Sequence, residues 1–450
     1  MVFLSTIHHS SRPLNPGRGV TVNIIQITPG AGGMFCGGCF RDNALVTELR
    51  RQGHETLMVP LYLPLTLDEA DQTQGTPIFF SGINVYLEQK SPLYRSAPAW
   101  LKNVFSSHSL LKFAGRFAGK TRASDVGEIA LSMLRGEEGQ QAKELDDLIS
   151  WLKTTSPRPD IICLSNALLT GLAKRLKSEL NVPVACVLQG EDTFLDGLPS
   201  EYRESAWNTL RSRVSDIDLF IPPSDYFAQL MTSRLGLNPQ KVKVIHNGIN
   251  LDGYQQSNPP SIPVLGYFAR MCPDKGLGLA VETYLRYRKA NPDSKLQFHI
   301  GGGCGPGDMA FVQSIKKTLK VSGFENDVKF FPNVTRAEKL EFFKGLTVFS
   351  TPALYGEAFG LYLLEAMASG VPVVQPRHAA FPEIVAATGG GLIAEANPND
   401  LAEKIAQLVN NPPLARELGI KGRTSVLERF SISALAKNTI SAYTEVINGF

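Results

Sequence analysis

Long hydrophobic runs are missing from this 450-residue chain. No stretch approaches the roughly 18 consecutive apolar residues of a bilayer-spanning helix, and Met1 to Arg12 carries no apolar core of the signal-peptide kind, so a cytoplasmic protein is expected. Charge of one sign is also missing. The 45 basic and 42 acidic residues leave a formal charge of +3, without the strongly basic footprint of a nucleic-acid binder. Cysteine is scarce, with six residues at 36, 39, 163, 186, 272 and 304, too few for a disulfide framework in a chain this long. Only Cys36 and Cys39 stand in C-x-x-C spacing. With no second such pair and no H-x3-H, the reading favours two small residues packed in a tight loop over half a zinc site or a redox pair.

The composition that remains, 43% apolar and 19% charged, is that of an ordinary globular protein, and the length suits two domains of roughly 200 residues each. Short β-branched runs alternate with helix-length segments. Val22 to Thr28, His54 to Pro60, Ile161 to Ser165, Val182 to Leu188, Leu219 to Ile221 and Lys241 to His246 read as strands of a first domain. Val264 to Phe268, Lys295 to Ile300, Val328 to Phe331, Leu346 to Ser350 and Val371 to Val374 read as strands of a second. Helices are expected at Asn43 to Gln52, closed by Gly53, at Glu144 to Leu152, from Leu277, at Leu401 to Val409 and at Ser431 to Ile447. Asn247-Gly248-Ile249-Asn250 predicts a turn with glycine at positive φ, and the proline-containing 257–262 a linker. The expected division is 1–256, with a helical insertion at about 91–139, then the linker, then 263–428, with 429–450 as a closing helix.

The most informative stretch is Val348 to Val374, a strand, loop, helix, strand unit in which the loop Ala353 to Phe359 falls at the carboxyl end of a parallel strand, where ligands collect. Gly360 is expected to open a helix of about three turns whose first amides suit an anion. Glu357 lies just before that helix and Glu365 inside it, where Leu361, Tyr362, Ala368 and Ser369 offer no cation, so Glu365 needs a partner from elsewhere. The pair Glu357 and Glu365, with Phe359-Gly360-Leu361 between them and Ala366 to Val374 after, resembles the E-x7-E signature of the family 4 glycosyltransferases, α/β enzymes of GT-B architecture with two Rossmann-like domains facing across a cleft. The resemblance implies that Glu357 contacts the donor sugar, Glu365 the ribose hydroxyls, and the Phe359 to Leu361 amides the diphosphate of a nucleotide sugar.

Other segments carry the same resemblance. Pro29-Gly30-Ala31-Gly32-Gly33 after the first strand implies that Gly32 and Gly33 let the backbone approach donor phosphates or the acceptor. Arg270 and Lys275, five apart in a strand-to-helix loop, look like the family's cation pair for the leaving diphosphate. Gln189-Gly190-Glu191-Asp192 occupies the place of a His-Gly-x-Asp motif, and Gln189 hydrogen-bonds but carries no proton at neutral pH. Arg377 to Ile384 parallels a segment with Gly-Gly where this chain has Ala379-Ala380, so a slightly different loop is expected, and His378 there is a candidate donor contact. Asp216-Ile217-Asp218 could suggest a metal, but its place before a strand favours a structural role, and neither metal nor cofactor is expected beyond the donor.

The reading is therefore a retaining, metal-independent sugar transfer to a glycan, lipid-linked or small-molecule acceptor, in cell-envelope or polysaccharide synthesis. The alternatives are a sugar-nucleotide epimerase or hydrolase of the same fold and a non-catalytic binding module. The stretch 91–122 holds six basic residues and no acid, with Leu110, Phe113, Ala114 and Phe117 at helical spacing, and is a candidate peripheral contact with anionic membrane.

Overall fold

The computed structural model describes residues 21–30, 37–63, 65, 67, 69–73, 75–80 and 123–450. Gly32, Gly33, Cys36 and the basic stretch 91–122 lie outside the described residues.

Two parallel sheets organise the chain. The first holds β1 (Asn23–Thr28), β2 (Glu55–Pro60), β3 (Ile161–Leu164), β4 (Val184–Val187) and β5 (Leu219–Ile221) in the order β2-β1-β3-β4-β5. The second holds β6 (Val264–Phe268), β7 (Gln297–Gly302), β8 (Val328–Pro332), β9 (Val348–Phe349), β10 (Val373–Pro376) and β11 (Gly391–Ala394) in the order β11-β10-β9-β6-β7-β8. Strands such as IICL and VACV are apolar throughout because helices cover both faces of a parallel sheet. Strand order reverses at β1 in the first sheet and at β6 in the second. Each reversal opens a crevice at the carboxyl edge of its sheet.

Tyr267, Tyr284, Phe298, Phe343 and Phe349 fill the second domain's core, and two apolar layers flank the first sheet. The helix Ile432–Gly449 returns to the first domain, where Leu435, Ala436, Ala442 and Tyr443 pack with Ile24, Leu45 and Ile161. The described end of the expected insertion forms helix Ala123–Arg135, which sends Met133 and Leu134 into the core of the first domain. Among the described residues no helix is long and apolar enough to cross a membrane.

Several local expectations are corrected. Lys241 to His246 is not a strand: a single bridge from Val242 to Phe220 is followed by extended backbone bonded to Phe220 and Pro222. The first helix is Gly37–Arg51, so Cys39 lies in its first turn rather than in a loop. Gly248 does not have positive φ. Glycine is needed there because a Cβ would stand 2.3 Å from the Ser431 carbonyl oxygen, at the point where the two crossings between the domains pair through Ile249 and Ser431. Ala379 adopts φ +52° despite its Cβ, so the loop keeps a glycine-like conformation with alanine in it.

Candidate functional site

The loops after β6, β7 and β8 and the helix after β9 meet the first domain across a cavity of about 270 Å³. The β6 loop is braced from below by the Tyr267 hydroxyl, 3.1 and 3.2 Å from the Arg270 and Lys275 carbonyl oxygens. It ends at Gly276, φ +72°, where a Cβ would sit 1.7 Å from the Pro352 carbonyl oxygen, so glycine alone lets this loop lie against the loop of Glu357.

Lys275 and Glu357, 82 residues apart, form an ion pair at 2.7 Å. The hydroxyls of Tyr355 and Tyr362 each donate to the same Glu357 Oε2 at 2.9 Å, and Lys275 Nζ also meets the Tyr355 hydroxyl. Burial pushes the Glu357 carboxyl up, but Lys275 and the two hydroxyls outweigh it and hold the group below its ordinary range. Lys275 and Tyr362 line the cavity, while Glu357 stands behind them, buried.

Arg270 lines the cavity with its side chain 60% exposed, aimed by buried Asp308 through Nη2 at 2.9 Å and Nε at 3.1 Å. Asp308 is in turn fixed by the Gly305 amide at 2.9 Å. Glu365 has the partners its own helix does not supply: Lys339 Nζ at 2.9 Å and the Tyr254 hydroxyl at 3.0 Å, all three lining the cavity. The helix carrying Glu365 is Leu361–Ala368, about two turns rather than three, with Gly360 as its left-handed N-cap. Leu361 lines the cavity, whereas the Phe359 side chain is core, packed against the rings of His246 and Phe430.

Gln189 does not line the cavity. Its Nε2 donates to the Ser165 carbonyl at 2.6 Å, and its amide donates to Glu191 at 2.8 Å, which fixes it behind the first helix. Asp218 is bound to Lys177 at 2.5 Å and the Val184 amide at 3.0 Å, and Asp216 and Asp218 precede β5, at the edge of the sheet away from the cleft. Among the described residues there is no group of three or more His, Cys, Asp or Glu side chains placed to hold a metal. His378 is half-buried and does not line the cavity, and among the described residues its Nε2 has no partner.

Several cleft residues escaped the sequence reading. Arg336 and Lys339 come from the helix after β8, whose start is readable as a capping box of Thr335 and Glu338. Arg336 bridges the domains by donating to Glu69 at 3.0 Å, where Asn250 also donates at 3.0 Å. Arg41, from the first helix, lines the opposite wall.

Two family models divide most of the chain between them: "Glycosyltransferase Family 4" matches residues 126–252, and "Glycosyl transferases group 1" matches 255–425. The chain is a GT-B fold relative of the group 1 and family 4 glycosyltransferases. In this GT-B chain the group 1 match contains Arg270, Lys275, Glu357 and Glu365, and the family 4 match contains Gln189. The chain is 25% identical over 252 residues to a D-inositol 3-phosphate glycosyltransferase of Streptomyces bingchenggensis, covering 53% of this chain and 55% of that protein. It is 28% identical over 309 residues to an alpha-maltose-1-phosphate synthase of Mycolicibacterium smegmatis, covering 63% and 78%. The matched stretch is thus little more than half of the first relative. The structure of Anabaena Alr3699/HepE in complex with UDP and glucose superposes with a TM-score of 0.65 at 16% identity, covering 94% of this chain and 100% of that one.

Proposed function

We propose that the protein transfers a sugar from a nucleotide-diphosphate sugar to an acceptor, without a metal and with retention at the reacting carbon. One observation carries this reading: Arg270, Lys275 and Glu365 converge on a single cavity between the domains, at the carboxyl edge of the second sheet and beside its switch point. Glu365 takes the ribose hydroxyls, its carboxylate oriented by Lys339 and Tyr254. Arg270 and Lys275 take the diphosphate, with the Phe359 to Leu361 backbone and, from the first domain, Gly32 and Gly33. Glu357, behind the cavity wall, holds Lys275 and Tyr362 and orients the sugar through them. The bond from the sugar carbon to the diphosphate oxygen breaks as the acceptor oxygen bonds to that carbon on the same face, and the acceptor proton passes to the leaving diphosphate. Two fixed cations stabilise the charge that develops there, the role a metal would otherwise fill. Gln189, bonded to Ser165, positions the neighbouring wall and takes no proton.

The division of labour follows the two sheets: 1–256 serves the acceptor, 263–428 the donor, and 429–450 ties the donor domain back to the first. UDP, present in the Anabaena structure, is the first nucleotide to test. The relatives' names include inositol 3-phosphate and maltose-1-phosphate, which makes a phosphate-bearing acceptor the leading class, with a glycan or lipid-linked acceptor resting on 91–122 as the other. Nucleotide release from a panel of nucleotide sugars, with and without acceptors and in the presence of chelator, tests the proposal. Acceptor-dependent release that survives chelator supports it; release abolished by chelator and restored by Mn²⁺ contradicts the metal-free mechanism.

A further inference from the structure

Buried arginines in this protein come in two kinds. Arg213, 7% exposed, spends its guanidinium on structure: it donates to the carbonyls of Leu134 and Arg135 and pairs with Glu137. Arg41 is more deeply buried, at 2% exposure, yet uses little of its donor capacity. Its Nη1 donates to Asp42 at 2.9 Å and its Nε to Asn247 at 3.2 Å. Among the described residues Nη2 has no partner, and the side chain lines the cleft cavity. Nη2 is the part of this otherwise buried guanidinium left to the cavity, where it can donate to an acceptor on a bound molecule.

Its support is built in depth. Asp42 is fully buried and holds both Arg41 and the Ser165 hydroxyl; Ser165 receives Gln189 through its carbonyl; Asn247 precedes the close crossing at Gly248. Arg41 therefore cannot swing away, and its free N–H groups have a fixed direction. Among the described residues the other cations of the cavity, Arg270, Lys275, Arg336 and Lys339, all come from the second domain, and Arg41 is the cationic lining residue on the opposite wall. Glu69 lines that wall too, but its Oε1 is already engaged by Arg336 and Asn250.

We propose that Arg41 binds a phosphate group of the acceptor, its fork pre-oriented by Asp42 and Asn247. The inference rests on the cleft being the nucleotide-sugar site and names the acceptor's chemistry there. The same phosphate chemistry could come from the donor's diphosphate, and the test separates the two.

The full chain is titrated calorimetrically with UDP, and then, saturated with UDP, with inorganic phosphate. The variants are Arg41→Gln and, because Arg41→Gln takes the cation away from fully buried Asp42, the double variant Arg41→Gln/Asp42→Asn, which removes both partners together. The expected result is that UDP-loaded wild type binds phosphate, that either folded variant weakens this by about tenfold or more, the scale of one charge-assisted contact, and that UDP affinity changes less than about twofold. Phosphate that fails to bind UDP-loaded wild type, or binds it and the variants alike, overturns the proposal. So does a variant that loses UDP affinity while keeping phosphate, which assigns Arg41 to the donor. If UDP does not bind wild type, the donor-site reading is what fails, and the phosphate titration of nucleotide-free wild type against the double variant then decides Arg41.

Discussion

Lys275 and Arg270 face the same cavity, each held by a buried carboxylate. Removing either takes one charge from the leaving diphosphate, and turnover should fall by about a hundredfold, the usual scale for one transition-state donor. Lys275→Ala additionally strands Glu357, whose side chain is 12% exposed, and Arg270→Ala strands Asp308, whose side chain is 5% exposed, so each should also destabilise the fold, Lys275→Ala by about 3–5 kcal/mol. An unfolding free energy in urea that is unchanged in Lys275→Ala would contradict the Lys275–Glu357 geometry. Glu365→Gln should weaken nucleotide binding more than turnover, read as a KM-against-kcat split. Glu357, Glu365, Arg270 and Lys275 could be singled out from the sequence because their spacing sits on a recognisable strand-loop-helix frame, and the structure gathers them at one corner of the cavity. The sequence could not name Lys339, Arg336 or Arg41, which reach the cavity from separate elements and belong to no contiguous motif. The isolation of Glu365 on its own helix did foretell a distant partner, because an apolar helix face cannot leave a carboxylate unpaired.

Elements were legible where hydrophobic runs bounded them, and less so where tertiary contacts decided. Lys241 to His246 has strand-like residues but passes along the edge of the first sheet with one bridge, and Gly248 is required by the Ser431 backbone rather than by its own φ. Ala379 shows the loop's geometry overriding local preference. Ala379→Gly should raise stability by about 1 kcal/mol, and a lowered melting temperature would contradict the positive φ. On β7, His299 packs against Phe331 at 5.2 Å between ring centroids, and burial, with Lys329 adding, holds its pKa down at about 4. The unfolded chain therefore takes up this proton first. Stability should fall as pH drops from about 6.5 to about 4, and His299→Phe should flatten that window while leaving the high-pH plateau in place. A variant with the wild-type pH slope, followed by thermal unfolding, would show that His299 is not the group responsible.

Across the whole molecule the two domains are tied at a seam beside the cleft. Glu383, from the second domain, accepts the Asp225 and Tyr226 amides at 2.9 and 3.0 Å and pairs with His246 at 3.0 Å, while Ser224 caps the same helix, Asp225–Leu235, and donates to the Ala358 carbonyl at 2.7 Å. A helix of one domain is thus capped by a carboxylate of the other. Glu383→Ala should cost about 1 kcal/mol, a typical capping contribution, and should enlarge the radius of gyration in solution if the seam limits domain opening. An unchanged radius would leave the hinge at Ile249 and Ser431 in control. Whether this cleft binds and activates a nucleotide-diphosphate sugar with its own cations is read by single-turnover release of UDP from UDP-sugars by wild type, Arg270→Ala and Lys275→Ala, each with EDTA. Chelator-insensitive release that drops about a hundredfold in either variant, measured where both variants remain folded, is the expected result. Release that is undiminished in both variants, or that requires Mn²⁺, would contradict it.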